Sequence, residues 1–188
     1  IITITTDFGH KGPFTAIMKG VILDRFPEAK IVDLVHDIPA QWPPEAGFWV
    51  SRSFRWFPEG TVHLAIVDPG VGTERNAIAA RTEWGTLIGP DNGLLAPAVA
   101  MVGGADKIVS IENPEVMLPA PGATFHGRDL FGPAAAVIAS GQANIDELGP
   151  EVDPDSVIVY EGDYNAFRSM RLNTIYPIIE GYKVYTTG

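Results

Sequence analysis

The sequence predicts an α/β domain of three layers, with helices on both faces of a mostly parallel sheet. Two observations carry this. Short β-branched, apolar runs alternate with longer stretches in which apolar residues recur at helical spacing. Clusters of Asp, Asn, Gly and Pro separate them where a strand gives way to the next element. The chain has 188 residues, enough for one well-buried core and short for two full domains. With 46% hydrophobic and 19% charged residues, intrinsic disorder is excluded.

Taken in order, Ile1 to Thr5 reads as the first strand. Pro13 then sits where a first helical turn tolerates proline, and Ile17, Val21, Ile22 and Phe26 give a helical stripe that stops at Pro27. Ile31 to Val35 is the next strand. Glu45 to Phe57 predicts a second helix whose aromatics, Phe48, Trp49, Trp56 and Phe57, default to core. Val62 to Val67 is a buried strand that ends at Asp68. Ala77 to Arg81 and Thr86 to Ile88 form a hairpin around Trp84 and Gly85, Leu94 to Val102 a short helix disturbed by Pro97, and Ile108 to Ile111 a strand. Glu112 to Thr124, with Pro114, Pro119, Pro121 and Gly122, predicts a long surface loop of the kind that carries function. A last helix runs from Asp129 to about Ser140. The composition changes near Gly149, and Val157 to Tyr160 reads as a final strand.

Composition narrows the function. The formal charge of −10 has the wrong sign for tracking nucleic-acid phosphates and suits a cationic small molecule. The absence of cysteine removes disulfides, thiol catalysis and most zinc sets. His10, His36, His63 and His126 are dispersed without an i, i+4 pair, so no metal site is expected. Both GxxxxGK[ST] and GxGxxG are missing, which leaves a nucleoside triphosphate site without support. No apolar run is long enough for a membrane span, and Ile1 to Gly9 lacks the features of a signal peptide, so a cytoplasmic protein without membrane contact is expected.

Four clusters fall on predicted loops: TDFG at Thr6 to Gly9, DPGVGTERN at Asp68 to Asn76, PDNG at Pro90 to Gly93, and FHGRDLFGP at Phe125 to Pro133. The first two follow strands, where ligands of open α/β sheets bind. Each also has a plain structural reading. PDNG is a turn sequence, Asp7 can cap the helix that follows, Asp129 can cap the helix after His126, and Trp42, in the proline-bounded loop PAQWPP, can fill a core or wall a pocket.

Read together and in order, the clusters resemble the S-adenosyl-L-methionine (SAM) hydrolases that form adenosine, also called SAM hydroxide adenosyltransferases, relatives of fluorinase and chlorinase. The resemblance runs from Ile1 to about Tyr160 and implies a Rossmann-like domain that hydrolyses SAM to adenosine and methionine without metal or cofactor. It implies catalytic roles for Asp68, Arg75 and His126. Substrate contacts are implied for Asp7 on the ribose, for Phe8 and Asn92, and for Trp42, Phe125 and Gly127 along the pocket wall. The halogenating relatives carry a tyrosine at the position of Asp68, which argues against halide as nucleophile. The chemistry agrees with these residues: a sulfonium leaves as a neutral thioether, so only the attacking water needs help, from a carboxylate that accepts a proton, a fixed cation, and a histidine that orients or relays.

The resemblance also implies a homotrimer with sites completed between subunits, and a carboxyl-terminal β-domain. Residues 1–160 are therefore expected to form the SAM-binding catalytic domain, and 161–188 a short tail, the remnant of that β-domain. A halide-using relative and a non-catalytic nucleoside- or SAM-binding module are the alternatives.

Overall fold

The protein's computed structural model describes residues 1–119 and 122–158. β1 (Ile2–Thr6) is buried along its length because it lies between β2 (Ile31–Val35) and β3 (Thr61–Ile66), parallel to both. β3 continues the parallel run to β5 (Gly85–Pro90). β4 (Ala77–Arg81) pairs antiparallel with β5 and with β6 (Lys107–Ser110), giving one sheet of order β2-β1-β3-β5-β4-β6 in which β4 alone runs backwards. The mostly parallel three-layer α/β fold is therefore present.

The sheet's two faces hold two cores. On one, Met18 and Ile22 of α1 (Phe14–Arg25) and Phe131 to Val137 around the start of α4 (Gly132–Ser140) cover Ile2, Ile4, Leu64 and Ile66. On the other, Ala46 and Val50 of α2 (Pro43–Ser53) and Ala98 of α3 (Ala96–Met101) cover Ala65, Val67, Ile78 and Leu87. Burial on both faces explains why β3 reads as an unbroken apolar run. No helix among the described residues is long and apolar enough to cross a membrane.

Several expectations are corrected. α1 buries Met18 and Ile22, whereas Ile17 is exposed, because α4 packs across the stripe one position further on. The second helix stops at Ser53 and tightens into a 3-10 turn, Phe54–Trp56, which buries Phe54 completely and turns Trp56 out to 87% exposure. Gly127–Phe131 is a π-helical turn that precedes α4, so Asp129 lies within the turn rather than capping a helix. Val157 and Ile158 are not in a strand, and the remainder of that expected strand, like the tail 161–188, lies outside the described residues.

β1 is followed by a strand on one side of it and β3 by strands on the other. Their carboxyl ends therefore flank the crevice where ligands of such sheets bind, and Asp7 and Asp68 stand at those two ends.

The same central position makes His63, on β3, a source of acid sensitivity. It is 1% exposed, its Nδ1 lies 2.8 Å from the Thr3 hydroxyl, and the Phe54 and Phe57 rings meet it edge-on. Burial pushes its pKa from 6.5 down to about 4. Between those values the unfolded chain binds the proton that the folded one refuses. Stability is thus expected to fall as pH drops from about 6.5 toward 4, by up to about 3 kcal/mol. Urea unfolding of His63→Asn, which keeps a polar atom for Thr3 and does not titrate, should show a shallower acid slope than the parent. Equal slopes would remove His63 as the cause.

Candidate functional site

The loop after β3 folds back on itself. Thr73 N–H and Oγ1 both donate to the Gly70 carbonyl, and Val71 N–H donates to the Asp68 carbonyl, closing two successive turns. Glycine is needed at two places. A Cβ on Gly70 would lie 3.2 Å from the Arg75 stem and 3.7 Å from an Asp68 oxygen, the space through which the arginine returns to the aspartate. Gly72 has φ +80° and would put a Cβ 3.1 Å from the Ala123 carbonyl, where this loop meets the one that carries His126. The glycines of DPGVG thus shape a carboxylate–guanidinium site.

Arg75 is the hub of that site. Its Nε donates to both oxygens of Asp68, at 3.0 and 2.9 Å, and its Nη2 also donates to Asp68 Oδ2. The same Nη2 lies 2.8 Å from His126 Nδ1, and the guanidinium stacks 5.2 Å above the Phe131 ring. Both charged side chains are shielded, 9% of Arg75 and 6% of Asp68 being exposed. Asp68, Arg75 and His126 are therefore brought together, as their loop positions led one to expect. Because a guanidinium only donates, His126 Nδ1 is the acceptor and the proton of the neutral ring sits on Nε2. Burial first, and the charge of Arg75 second, hold the His126 pKa below its ordinary 6.5.

The expected substrate residues divide. Phe8, Phe125 and Gly127 line one cavity of about 500 Å³ with Phe14, Met18 and Arg128; Phe125 and Gly127 flank His126 in the chain, and the lining includes none of Asp7, Trp42, Asp68, Arg75, Asn92 and His126. Asp7 does not cap α1, which begins seven residues later. Its Oδ2 accepts the backbone N–H of Gln41 at 2.9 Å, and Gln41 has φ +61°, so Asp7 holds the strained turn that leads to Trp42. Trp42 is 37% exposed at the start of α2. Asn92 directs its amide at the Val67 carbonyl, 2.8 Å away, and its Oδ1 accepts from Leu94 N–H. A cavity of about 700 Å³ between α2 and Trp84 lies at the opposite end of the strands and contains none of these residues.

Three residues were missed as supports of the site. Asp129 is 2% exposed and accepts from Gly122 N–H at 2.7 Å and from Arg128, tying down the loop before His126. Asp91 is 4% exposed, accepts the Ile158 N–H, and is pushed above the usual carboxylate pKa by burial, an effect the Ile158 bond and the Arg75 charge partly offset. Phe131 is the platform under Arg75. The acidic pair lay in quoted motifs, and only their turn and capping roles were legible without three-dimensional partners. Among the described residues, no group of three or more His, Cys, Asp or Glu side chains is placed to hold a metal ion.

Comparison with known proteins places this geometry. Residues 2–149 match the family model of the SAM hydroxide adenosyltransferase N-terminal domain. Relatives named (R)-S-adenosyl-L-methionine hydrolase include one from Salinispora arenicola, 40% identical over 84% of this chain and 59% of the relative, and one from Thermus thermophilus, 43% identical over 81% and 61%. A fluorinase from Nocardia brasiliensis is 26% identical over 86% of this chain and 61% of its own length. The crystal structure of an uncharacterized conserved protein from Thermotoga maritima superposes with a TM-score of 0.81 at 34% identity, covering 85% of this chain and 61% of that one. The chain thus spans about three-fifths of the length of these relatives. With most of its described residues inside that family match and the motif loops meeting at one edge of the sheet, the chain belongs to the SAM hydroxide adenosyltransferase family.

Proposed function

We propose that the chain forms the catalytic domain of a hydrolase that cleaves S-adenosyl-L-methionine to adenosine and methionine, by attack of water on C5′, with no metal or cofactor. The observation that carries the proposal is the convergence of Asp68, Arg75 and His126 at hydrogen-bond distance. In the reaction a water oxygen bonds to C5′ as the C5′–S bond breaks. The bonding pair stays on sulfur and cancels the sulfonium charge. One water proton must leave, and Asp68 is the acceptor in reach of the site. Arg75 fixes that carboxylate in a shielded setting and offsets negative charge growing on the water oxygen. His126, protonated on Nε2 in this geometry, donates to that oxygen and orients it.

The substrate roles follow the cavity for three residues and the Asp7–Gln41 bond for two. Phe8, Phe125 and Gly127 wall the ligand, Asp7 offers its Oδ1 to the ribose hydroxyls while Oδ2 holds the Trp42 turn, and Trp42 closes that side. Relatives of this chain are named for the (R) sulfonium epimer, and we extend that preference to this protein. Phe14, Ile17 and Phe125 leave apolar surface around the cavity, which supports completion of the site by another subunit in a homotrimer. We place residues 1–160 in the catalytic domain and the protein in the cytoplasm.

The direct test is incubation of the assembled protein with SAM in ¹⁸O-labelled water. Label is expected in the 5′-hydroxyl of adenosine, with methionine released one for one and no requirement for added metal. Adenosine without label would overturn direct attack by water. Tight binding without turnover would favour a SAM-binding module.

A further inference from the structure

The PDNG turn after β5 grips both ends of the loop that carries Asp68 and Arg75. At one end, Asn92 Nδ2 donates to the carbonyl of Val67, the residue before Asp68, at 2.8 Å. At the other, Asp91 N–H donates to the carbonyl of Asn76, the residue after Arg75, at 2.9 Å. Arg75 Nη1 reaches the same Asn76 carbonyl at 3.3 Å, so the guanidinium and the turn share an anchor. Between the grips Val71 and Thr73 are held by the loop's own short turns and Arg75 by Asp68 and His126, while Thr73, Glu74 and Asn76 are exposed.

The side chain at position 92 serves β3 where the backbone of positions 90 to 92 does not. Pro90 has no N–H, Asp91 N–H serves Asn76, and Asn92 N–H turns back to the Pro90 carbonyl at 3.1 Å. Among the described residues, it is the Asn92 amide that donates to the Val67 carbonyl. Its Oδ1 is in turn fixed by Leu94 N–H at 3.2 Å, which sets the orientation of the amide group and aims its N–H at the carbonyl.

We infer that Asn92 is a positioning residue: rather than contacting substrate, it acts through Val67 to set the place of the Asp68 carboxylate relative to Arg75 and His126. The inference deepens the hydrolase reading, and its kinetic part rests on it. A carboxylate displaced by an ångström loses its alignment with water while the cavity proposed above for SAM, lined by Phe8, Phe125 and Gly127, is untouched. The turnover number should therefore fall while KM holds.

Two variants of the full chain test this. Asn92→Asp keeps the acceptor for Leu94 and loses the donor to Val67. Asn92→Ala loses both. Hydrogen exchange at the Val71 and Thr73 amides, which are bonded only within the loop, should accelerate about 10-fold or more in each variant while Leu64 in β3 keeps its protection. The turnover number should fall about 10- to 100-fold, with KM for SAM unchanged. Unaltered loop exchange, or a raised KM with the turnover number intact, overturns the inference, the latter returning Asn92 to substrate contact. If the unsubstituted protein shows no turnover, the hydrolase reading fails, and the exchange measurement alone decides whether Asn92 holds the loop. Should Asn92→Ala fail to fold, Asn92→Asp carries both measurements.

Discussion

Arg75→Ala is expected to lower SAM hydrolysis by about 10²- to 10³-fold, the range seen when a fixed electrostatic partner of a transition state is removed. Three losses coincide. The donors that orient both oxygens of Asp68 disappear, His126 Nδ1 loses its bond, and Phe131 loses the cation stacked on it. Arg75→Lys separates charge from geometry. An ammonium restores the positive charge, and it cannot hold the carboxylate in a fork while reaching the imidazole. It should recover only a small part of the lost rate. The pH profile gives a second readout. His126 must be neutral to accept from Arg75, so activity should fall on the acid side, below pH 6.5. Because that limb arises from the Arg75–His126 bond, it should be lost from the residual activity of Arg75→Ala. Stability should suffer as well, because a shielded carboxylate left without its partner costs about 3–5 kcal/mol. Rates are therefore to be compared on protein shown to be folded by circular dichroism. An Arg75→Ala protein that is folded and fully active would remove Arg75 from the mechanism.

How much of this was legible beforehand depends on whether a residue's neighbours are near in sequence. β2 and β4 were legible to the residue, since β-branched and apolar runs bounded by turn formers need no remote partner to be recognised. The face of α1 was not, because α4, more than a hundred residues later, decides that Met18 rather than Ile17 is covered. Trp56 misled because the tightening of α2 into a 3-10 turn rotates its side chain outward. In the site, the strand-end positions of Asp7 and Asp68 follow from sequence alone. What Asp7 holds does not: its bond runs to the backbone of Gln41, whose left-handed conformation no propensity announces. The roles of Asp91 and Asn92 were hidden for a similar reason. As a string PDNG says turn, and that is correct; which loop the turn grips is known only when β3, β4 and β5 lie side by side.

Asp68→Ala is expected to reduce hydrolysis by about 10²-fold or more, the contribution of a positioned general base, and also to change what the site prefers as nucleophile. In the native arrangement the guanidinium is engaged by both carboxylate oxygens, and a halide approaching C5′ would meet the negative charge of Asp68 while finding Arg75 already neutralised. Water that donates to the carboxylate has no such penalty. Deleting the carboxylate reverses both terms. Arg75 then presents an unmatched cation in a shielded pocket, a site suited to a small anion, while the proton acceptor for water is gone. Asp68→Asn should behave in the same direction, since its amide keeps the volume and loses the charge. Product analysis in concentrated chloride separates the possibilities. The unsubstituted protein should yield adenosine with no appreciable 5′-chloro product. Asp68→Ala should yield far less adenosine, and chloride should account for a larger share of whatever turnover remains. Retention of the native rate by Asp68→Ala would dismiss the carboxylate as the base, and 5′-chloro-adenosine as the main product of the unsubstituted protein would show that Asp68 does not discriminate against anions at all.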